Sequence, residues 1–207
     1  KEDNQWFKYM GWCVPTQEMI DSYEIGDLRL SASIVAIEGI LNGEIIQVEA
    51  VKPAFGYKTP AGKGSRYMVA KYWHPPYTIA SNSGENFPIY RYSDALLLLA
   101  ECLVAENKAD QVLPYLNQVR ARAGLPALPI ATVDNVANER RHEFAFENKR
   151  WTDLVRTGKA IEVMTQHGVR MKALYPWLLP QTFNVTETQL LYPFNFRELD
   201  INKSLIQ

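Results

Sequence analysis

Two groups of aromatic residues carry chemistry that a core does not require. Trp6, Phe7, Tyr9 and Trp12 crowd the start of the chain in a segment without helical or strand periodicity. Tyr72, Trp73, His74 and Tyr77 crowd a second segment, where Pro75 and Pro76 interrupt any regular element. Indole and phenol rings pair flat apolar faces with polar edges, a surface that suits recognition of a sugar or of a peptide. The chain holds 5 Trp and 11 Tyr in 207 residues, more ring surface than one core of this size consumes. Each ring taken singly also has a packing role open to it. Trp6, Tyr9 and Trp12 are the first candidate ligand contacts, and Trp73 and Tyr77 the second. Trp12 leads because Gly11 and Pro15 can hold its indole outward on a stiff backbone.

The charged residues point away from catalysis. Glu139, Glu143 and Glu147 step by four, so on one helix they point the same way rather than flanking a substrate bond; ion pairing with the interleaved Arg140, Arg141, Lys149 and Arg150 is the better reading. His142-Glu143 opens like a zinc-protease helix, but Phe146 stands where the second histidine belongs. Arg150, Trp151, Asp153 and Arg156 suit either an anion clamp or an Arg-Asp network packed by the indole. Gly62 and Gly64 lack the strand, lysine and helix of a phosphate loop, and His74 and His167 have no acidic or nucleophilic neighbour in sequence. The expectation is a protein that is not an enzyme, with no cofactor and no metal. A glycosidase reading would need carboxylates such as Asp94 with Glu101 or Glu143 facing one cleft.

The elements that must position these residues change character near residue 91. Before it, Gly, Pro, Asn and Ser punctuate a loop-rich region, with one helix expected over Thr16 to Tyr23 and one hairpin over Ile40 to Val51 around Asn42-Gly43. After it, helical spacing predicts a hairpin of two helices. The first has an apolar stripe of Tyr92, Ala95, Leu96, Leu99, Cys102 and Leu103, and the second runs from about Asp110 to Ala123 and stops at Gly124. A third helix is expected over Val133 to Lys149 and a fourth over Lys159 to His167; the tail from Tyr175, with Pro176, Pro180 and Pro193, reads as irregular. The fold class is thus mostly α, with helical hairpins of the tetratricopeptide kind and long irregular segments. Residues 1–90 form the candidate binding region, 91–170 the helical frame and 171–207 the tail.

Hydrophobic residues at 47% and charged residues at 22% fit a globular chain and exclude intrinsic disorder. A formal net charge of −1 gives no footprint for a polyanion, so no nucleic-acid partner is expected. Cys13 and Cys102 form no zinc or disulfide frame, and Cys102, inside an apolar run, reads as a buried thiol. The longest apolar stretch, around Ala95 to Ala105, is too short to span a bilayer. Lys1 is not an initiator methionine, which reads as a partial or cleaved chain.

Four motifs in order carry a resemblance. They are Arg91-Tyr92-Ser93-Asp94-Ala95-Leu96-Leu97-Leu98-Leu99-Ala100-Glu101, Leu116-Asn117-Gln118-Val119-Arg120-Ala121-Arg122-Ala123-Gly124-Leu125, Glu139 to Glu147, and Arg150-Trp151-Thr152-Asp153-Leu154-Val155-Arg156-Thr157-Gly158. With Val14 to Glu24 and then Asp27 and Arg29, the chain resembles the C-terminal half of the SusD/RagB family. Tyr192-Pro193-Phe194-Asn195 only approximates the family's usual ending. The resemblance implies a lipoprotein on the outer face of the bacterial outer membrane, its lipid and its remaining helices on an N-terminal part outside this sequence. It would bind an oligosaccharide or another nutrient without cleaving it and pass it to a SusC-like TonB-dependent transporter. The alternative is a helical-repeat adaptor that holds a peptide or protein partner on its helices rather than a sugar on its loops.

Overall fold

The structure, a computed structural model, describes residues 14–43, 45–74 and 84–205, and divides the chain into two units, Lys1–Asn148 and Lys149–Gln207. The fold is mostly helical with one small sheet.

In the first unit, Thr16 caps α1 (Gln17–Asp21) by accepting from the Met19 amide, and Asp27 caps α2 (Leu28–Ser33) by accepting from the Arg29 amide. α2 runs directly into β1 (Ile34–Asn42), which pairs antiparallel with β2 (Ile45–Pro53) on one side and β3 (Gly64–Val69) on the other. The expected hairpin is therefore present with longer strands, but Asn42 ends β1 paired with Ile45 instead of sitting in the turn, and β3, in a stretch read as loop, completes a sheet. The register slips between Glu38 and Gly39, where a Cβ on Gly39 would lie 1.9 Å from the Gln47 carbonyl oxygen, so only glycine lets the two backbones approach there. One face of the sheet packs Ile34 with Ile20, Tyr23, Leu30 and Ala54; Ile37, Val48 and Met68 form a second small core.

The helical hairpin is as expected: α3 (Tyr92–Ala105) packs on α4 (Ala109–Arg122) and on α5 (Val133–Glu143). Asn107, with φ of 59°, ends α3 in a left-handed turn whose Lys108 amide reaches back to the Leu103 carbonyl, and Gly124, at 77°, ends α4 in the same way. The buried stripe of α3 is Leu96, Leu97 and Ala100, joined by Leu103 and Val104, against Val112, Leu116, Val119, Val136 and Phe144. That corrects the expected phase: Tyr92, Leu99 and Cys102 face outward, and Cys102 is an exposed free thiol rather than a buried one. Four consecutive leucines offer an apolar surface in several phases. Asp94 selects among them, because its buried carboxylate must meet Arg140, at 2.8 Å.

The third helix stops at Glu143, short of the expected Lys149. Phe146 and Asn148 take positive φ, 65° and 56°, in the turn that follows. In the second unit, described by itself, α6 (Arg150–Arg156) occupies a stretch read as a polar cluster and ends on Gly158, and α7 (Ala160–Leu174) outruns the expected fourth helix. The turn at Phe183 lies against Gly168, where an added Cβ would sit 2.8 Å from the Phe183 Cβ. A short α8 (Phe196–Ile201) interrupts the irregular tail.

Candidate functional site

The C-terminal end of α5 gathers charge from across the first unit. Glu139 and Glu143 are buried on one face, and Glu147 is buried in the following turn. They pair with cations brought from elsewhere in the chain, while Arg140 meets Asp94 at 2.8 Å and Arg141 lies 3.6 Å from Glu18. Arg29, held in the fork of Asp27, reaches Glu139 at 2.6 Å and Glu143 at 3.1 Å. Arg120 joins Glu139 at 3.2 Å and Glu24 at 2.6 Å, and Arg122 donates to Glu143 at 2.6 Å. Arg91 and Arg140 lie 4.6 and 5.0 Å from the centroid of the buried Phe144 ring, a cation–π arrangement that also neutralises Asp94. Burial opposes charge on Glu143, yet hydrogen bonds from Arg91 and the fields of Arg91 and Arg122 hold its carboxyl below the usual range. For Glu139 burial wins over Arg29 and Arg120, and its carboxyl is raised.

This network also holds the second aromatic segment at both ends. Lys71, just after β3, donates to the carbonyls of Glu143 at 2.9 Å and Ala145 at 3.1 Å and pairs with the Glu147 carboxylate. Arg91, at the start of α3, donates to the same Glu143 carbonyl at 2.6 Å and grips Glu147 through two nitrogens at 2.8 and 3.0 Å. The chain from Lys71 to Arg91 thus leaves and rejoins the frame at one pair of residues. These cations satisfy carbonyls that the end of α5 leaves open and sit at the negative pole of its dipole. Tyr72 donates to the Phe146 carbonyl at 3.4 Å and its ring lies 5.6 Å from that of Phe87, so rings from the two ends of the segment meet. His74 sits 2.9 Å from Glu85, an acidic partner that proximity in sequence did not reveal.

Of the sequence-derived contacts, Trp73 is half-buried on this pinned turn. Trp6, Tyr9, Trp12 and Tyr77 lie outside the described residues. Phe87, 55% exposed, was missed because an isolated Phe beside Pro88 carries no pattern of its own. Arg29, Arg91 and Lys71 were missed as partners because they lie more than fifty residues from the glutamates they serve.

A second polar feature lies farther back along α5. Asn135, Asn138, Glu139 and His142 recur at helical spacing along a cleft of about 210 Å³, closed by Ser22, Arg120, Leu128 and Arg141. Ser22 Oγ is 3.0 Å from His142 Nε2, but its hydrogen is donated to the Met19 carbonyl at 2.7 Å, so the pair does not form an activated nucleophile. His142 lies against Tyr23, ring centroids 4.6 Å apart; burial, then Arg29 and Arg141, push its pKa down to about 4. Among the described residues no cluster of His, Cys, Asp and Glu has the makings of a metal site, and no helix is long and apolar enough to cross a membrane.

The sequence profile of the SusD family matches residues 2–207. A SusD-like protein, P38, of Formosa agariphila is 30% identical over 167 residues, 73% of this chain and 30% of that protein. Among solved structures, surface glycan-binding protein A from Bacteroides uniformis is 27% identical with a TM-score of 0.61, over 93% of this chain and 40% of that one. A laminarin-binding SusD-like protein is 28% identical with a TM-score of 0.57, over 90% and 36%. The chain therefore spans about a third of the length of its curated relative.

Proposed function

The chain belongs to the SusD family, and from that membership we propose that it is part of a non-catalytic carbohydrate-binding protein of the bacterial outer surface. The protein holds an oligosaccharide for delivery to a SusC-like TonB-dependent transporter, and a lipid on a segment outside these 207 residues anchors it to the outer membrane. This chain is the C-terminal portion of one SusD-like domain. The relatives named for glycan and laminarin binding support the ligand class.

The observation that carries the reading is the aromatic segment pinned at both ends on Glu143 and Glu147. A sugar platform needs rings presented on a backbone that does not yield, and a segment tied at its base loses less freedom on binding. Trp73, Tyr72 and Phe87 supply described rings; Trp6, Tyr9, Trp12 and Tyr77 are the further proposed contacts. The adaptor reading has one observation in its favour, the outward row of Tyr92, Leu99 and Cys102 on α3.

Calorimetry of the full-length protein against a panel of oligosaccharides, laminarin fragments among them, tests the proposal, with product analysis for turnover. Binding without cleavage is expected, and Trp73→Ala should weaken it roughly 5- to 150-fold, about 1–3 kcal/mol. Released sugar, or a peptide ligand lost on Leu99→Glu with no glycan bound, overturns it.

A further inference from the structure

We propose that the cleft along α5 is a separate binding site for a single neutral sugar ring or a polyol of similar size. Its walls belong to four elements: the end of α1 with Ser22, α4 with Arg120, the extended strap holding Leu128, and the face of α5 with Asn135, Asn138 and His142. All four are fixed before any ligand arrives. Asn117 holds Leu128 through both sides of its amide, at 2.8 and 3.1 Å; Ser22 is locked between the Met19 carbonyl and His142; Arg120 is held by Pro126, Glu24 and Glu139. A preformed cavity of this kind spends little free energy on ordering itself around a ligand.

Size limits the occupant. At about 210 Å³ the cleft falls below the roughly 300–1,000 Å³ of pockets that enclose drug-sized ligands, a size suited to a molecule no larger than about one pyranose ring.

Charge narrows the class. Arg120 and Arg141 face Glu24 and Glu139, a formal sum of zero while His142 is neutral, and Arg141 has Glu18 a further 3.6 Å away. An anion would meet the carboxylates and a cation the guanidinium groups, each with its own like-charge penalty. A neutral ligand rich in hydroxyls avoids both, because each hydroxyl donates to a carboxylate oxygen or accepts from an amide or guanidinium N–H. Asn138 is exposed at the mouth, Arg141 is half-buried beside it, and Leu128 supplies an apolar wall for the C–H face of a ring. The cleft lies apart in sequence from the aromatic segment, so this inference does not rest on the glycan platform proposed above.

The test is ligand-observed NMR and calorimetry on the full-length protein with glucose, galactose, mannose and sorbitol as neutral probes, and glucuronate and glucosamine as charged ones. Measurements are made in wild type and in a Trp73→Ala background that disables the platform. At least one neutral probe should bind in both backgrounds, and Asn138→Leu or Arg141→Met should weaken it fivefold or more at unchanged melting temperature. Both replaced side chains reach solvent, so the fold tolerates them; Asn138→Gln, which keeps the amide, should restore part of the affinity. Three results overturn the inference: no neutral probe binding, a charged probe binding more tightly, or neutral binding that survives both cleft variants. Loss of oligosaccharide binding in Trp73→Ala with the monosaccharide signal intact separates the two sites, whereas loss of both returns all binding to the platform.

Discussion

The C-terminal end of α5 and the turn after it deliver Glu143 and Glu147 into a shell of Arg29, Arg91, Arg122 and Lys71 that engages both oxygens of each carboxylate. On another face the same helix shows Asn135, Asn138 and His142 to an open cleft. Both regions are polar, and both draw residues from distant parts of the chain. They differ in what remains unspent: in the clamp each charge is consumed by another protein charge, whereas the cleft has the exposed Asn138 amide and the half-buried Arg141 at its edge. Polar density alone therefore does not mark a ligand site. The saturated region fixes chain segments relative to one another, and the unsaturated one has bonds left to offer.

The largest effect that would break this contrast comes from the clamp. Glu143→Ala leaves Arg29, Arg91 and Arg122 without their shared carboxylate in a buried setting, and removing one partner of such a network typically costs about 3–5 kcal/mol. Denaturant unfolding of the full-length protein should show that loss, against less than about 0.5 kcal/mol for Asn138→Ala in the cleft. Equal costs would dissolve the distinction. A milder version tests presentation: Lys71→Met with Glu147→Gln removes the pairings of Lys71 and Arg91 with Glu147 while Arg91 keeps Glu143, and should raise amide hydrogen exchange in residues 72–74 and 84–90 before it lowers the melting temperature.

The cleft carries a pH signature near pH 5 through His142. His142 titrates near 4 in the folded chain and near 6.5 when unfolded, so between those values the unfolded chain binds a proton that the folded chain refuses. Stability is then flat above pH 6.5 and falls as pH drops, by about 2 kcal/mol at pH 5 from this group. Below the ordinary carboxylate range Glu143, whose carboxyl is held low, adds a further loss, while Glu139, raised by burial, works in the opposite sense as pH falls toward that range from above. Chemical unfolding at pH 7.5 and pH 5 should show the fall in wild type and a flatter profile in His142→Gln. An unchanged slope in that variant places the acid sensitivity elsewhere.

Much of the frame was legible because its signals are local. Thr16 before an amphipathic turn and Gly124 after a helix each depend on a few neighbouring residues and do what their chemistry requires, while Asn42-Gly43 between apolar runs marked the hairpin although Asn42 itself ends the strand. The carboxylate spacing at 139, 143 and 147 also read correctly as ion pairing. What the sequence concealed was partnership across distance. Arg29 lies 110 residues before Glu139, and nothing in the spacing of either indicates the other. The early end of α5 has the same cause, since Lys71 and Arg91 take its last carbonyls and Phe146 turns left-handed beneath them. The phase of α3 failed for a different reason: among four leucines apolar periodicity is nearly degenerate, and a buried Asp94 decided it.

The smallest effect sharpens the comparison by acting on the cleft end alone. Thr132 and Asn135 form a reciprocal capping box, in which the Thr132 hydroxyl accepts from the Asn135 amide at 3.1 Å and the Asn135 side chain accepts from the Thr132 amide at 3.1 Å. Asn135 lines the cleft, so the residue that starts the helix also fixes one wall of the site. Thr132→Ala should cost about 1 kcal/mol, typical of a lost N-cap. It should also free the Asn135 side chain to turn, weakening a neutral sugar probe two- to threefold, about 0.5 kcal/mol. Thr132→Ser keeps the hydroxyl and should restore both. The clamp lies at the other end of the same helix, so hydrogen exchange of the Glu143 to Glu147 amides, measured relative to global unfolding, should not respond. If those amides lose protection together with the cap, the two ends of α5 open as one unit, and the separation between a saturated clamp and an open cleft fails as a description of how this helix works.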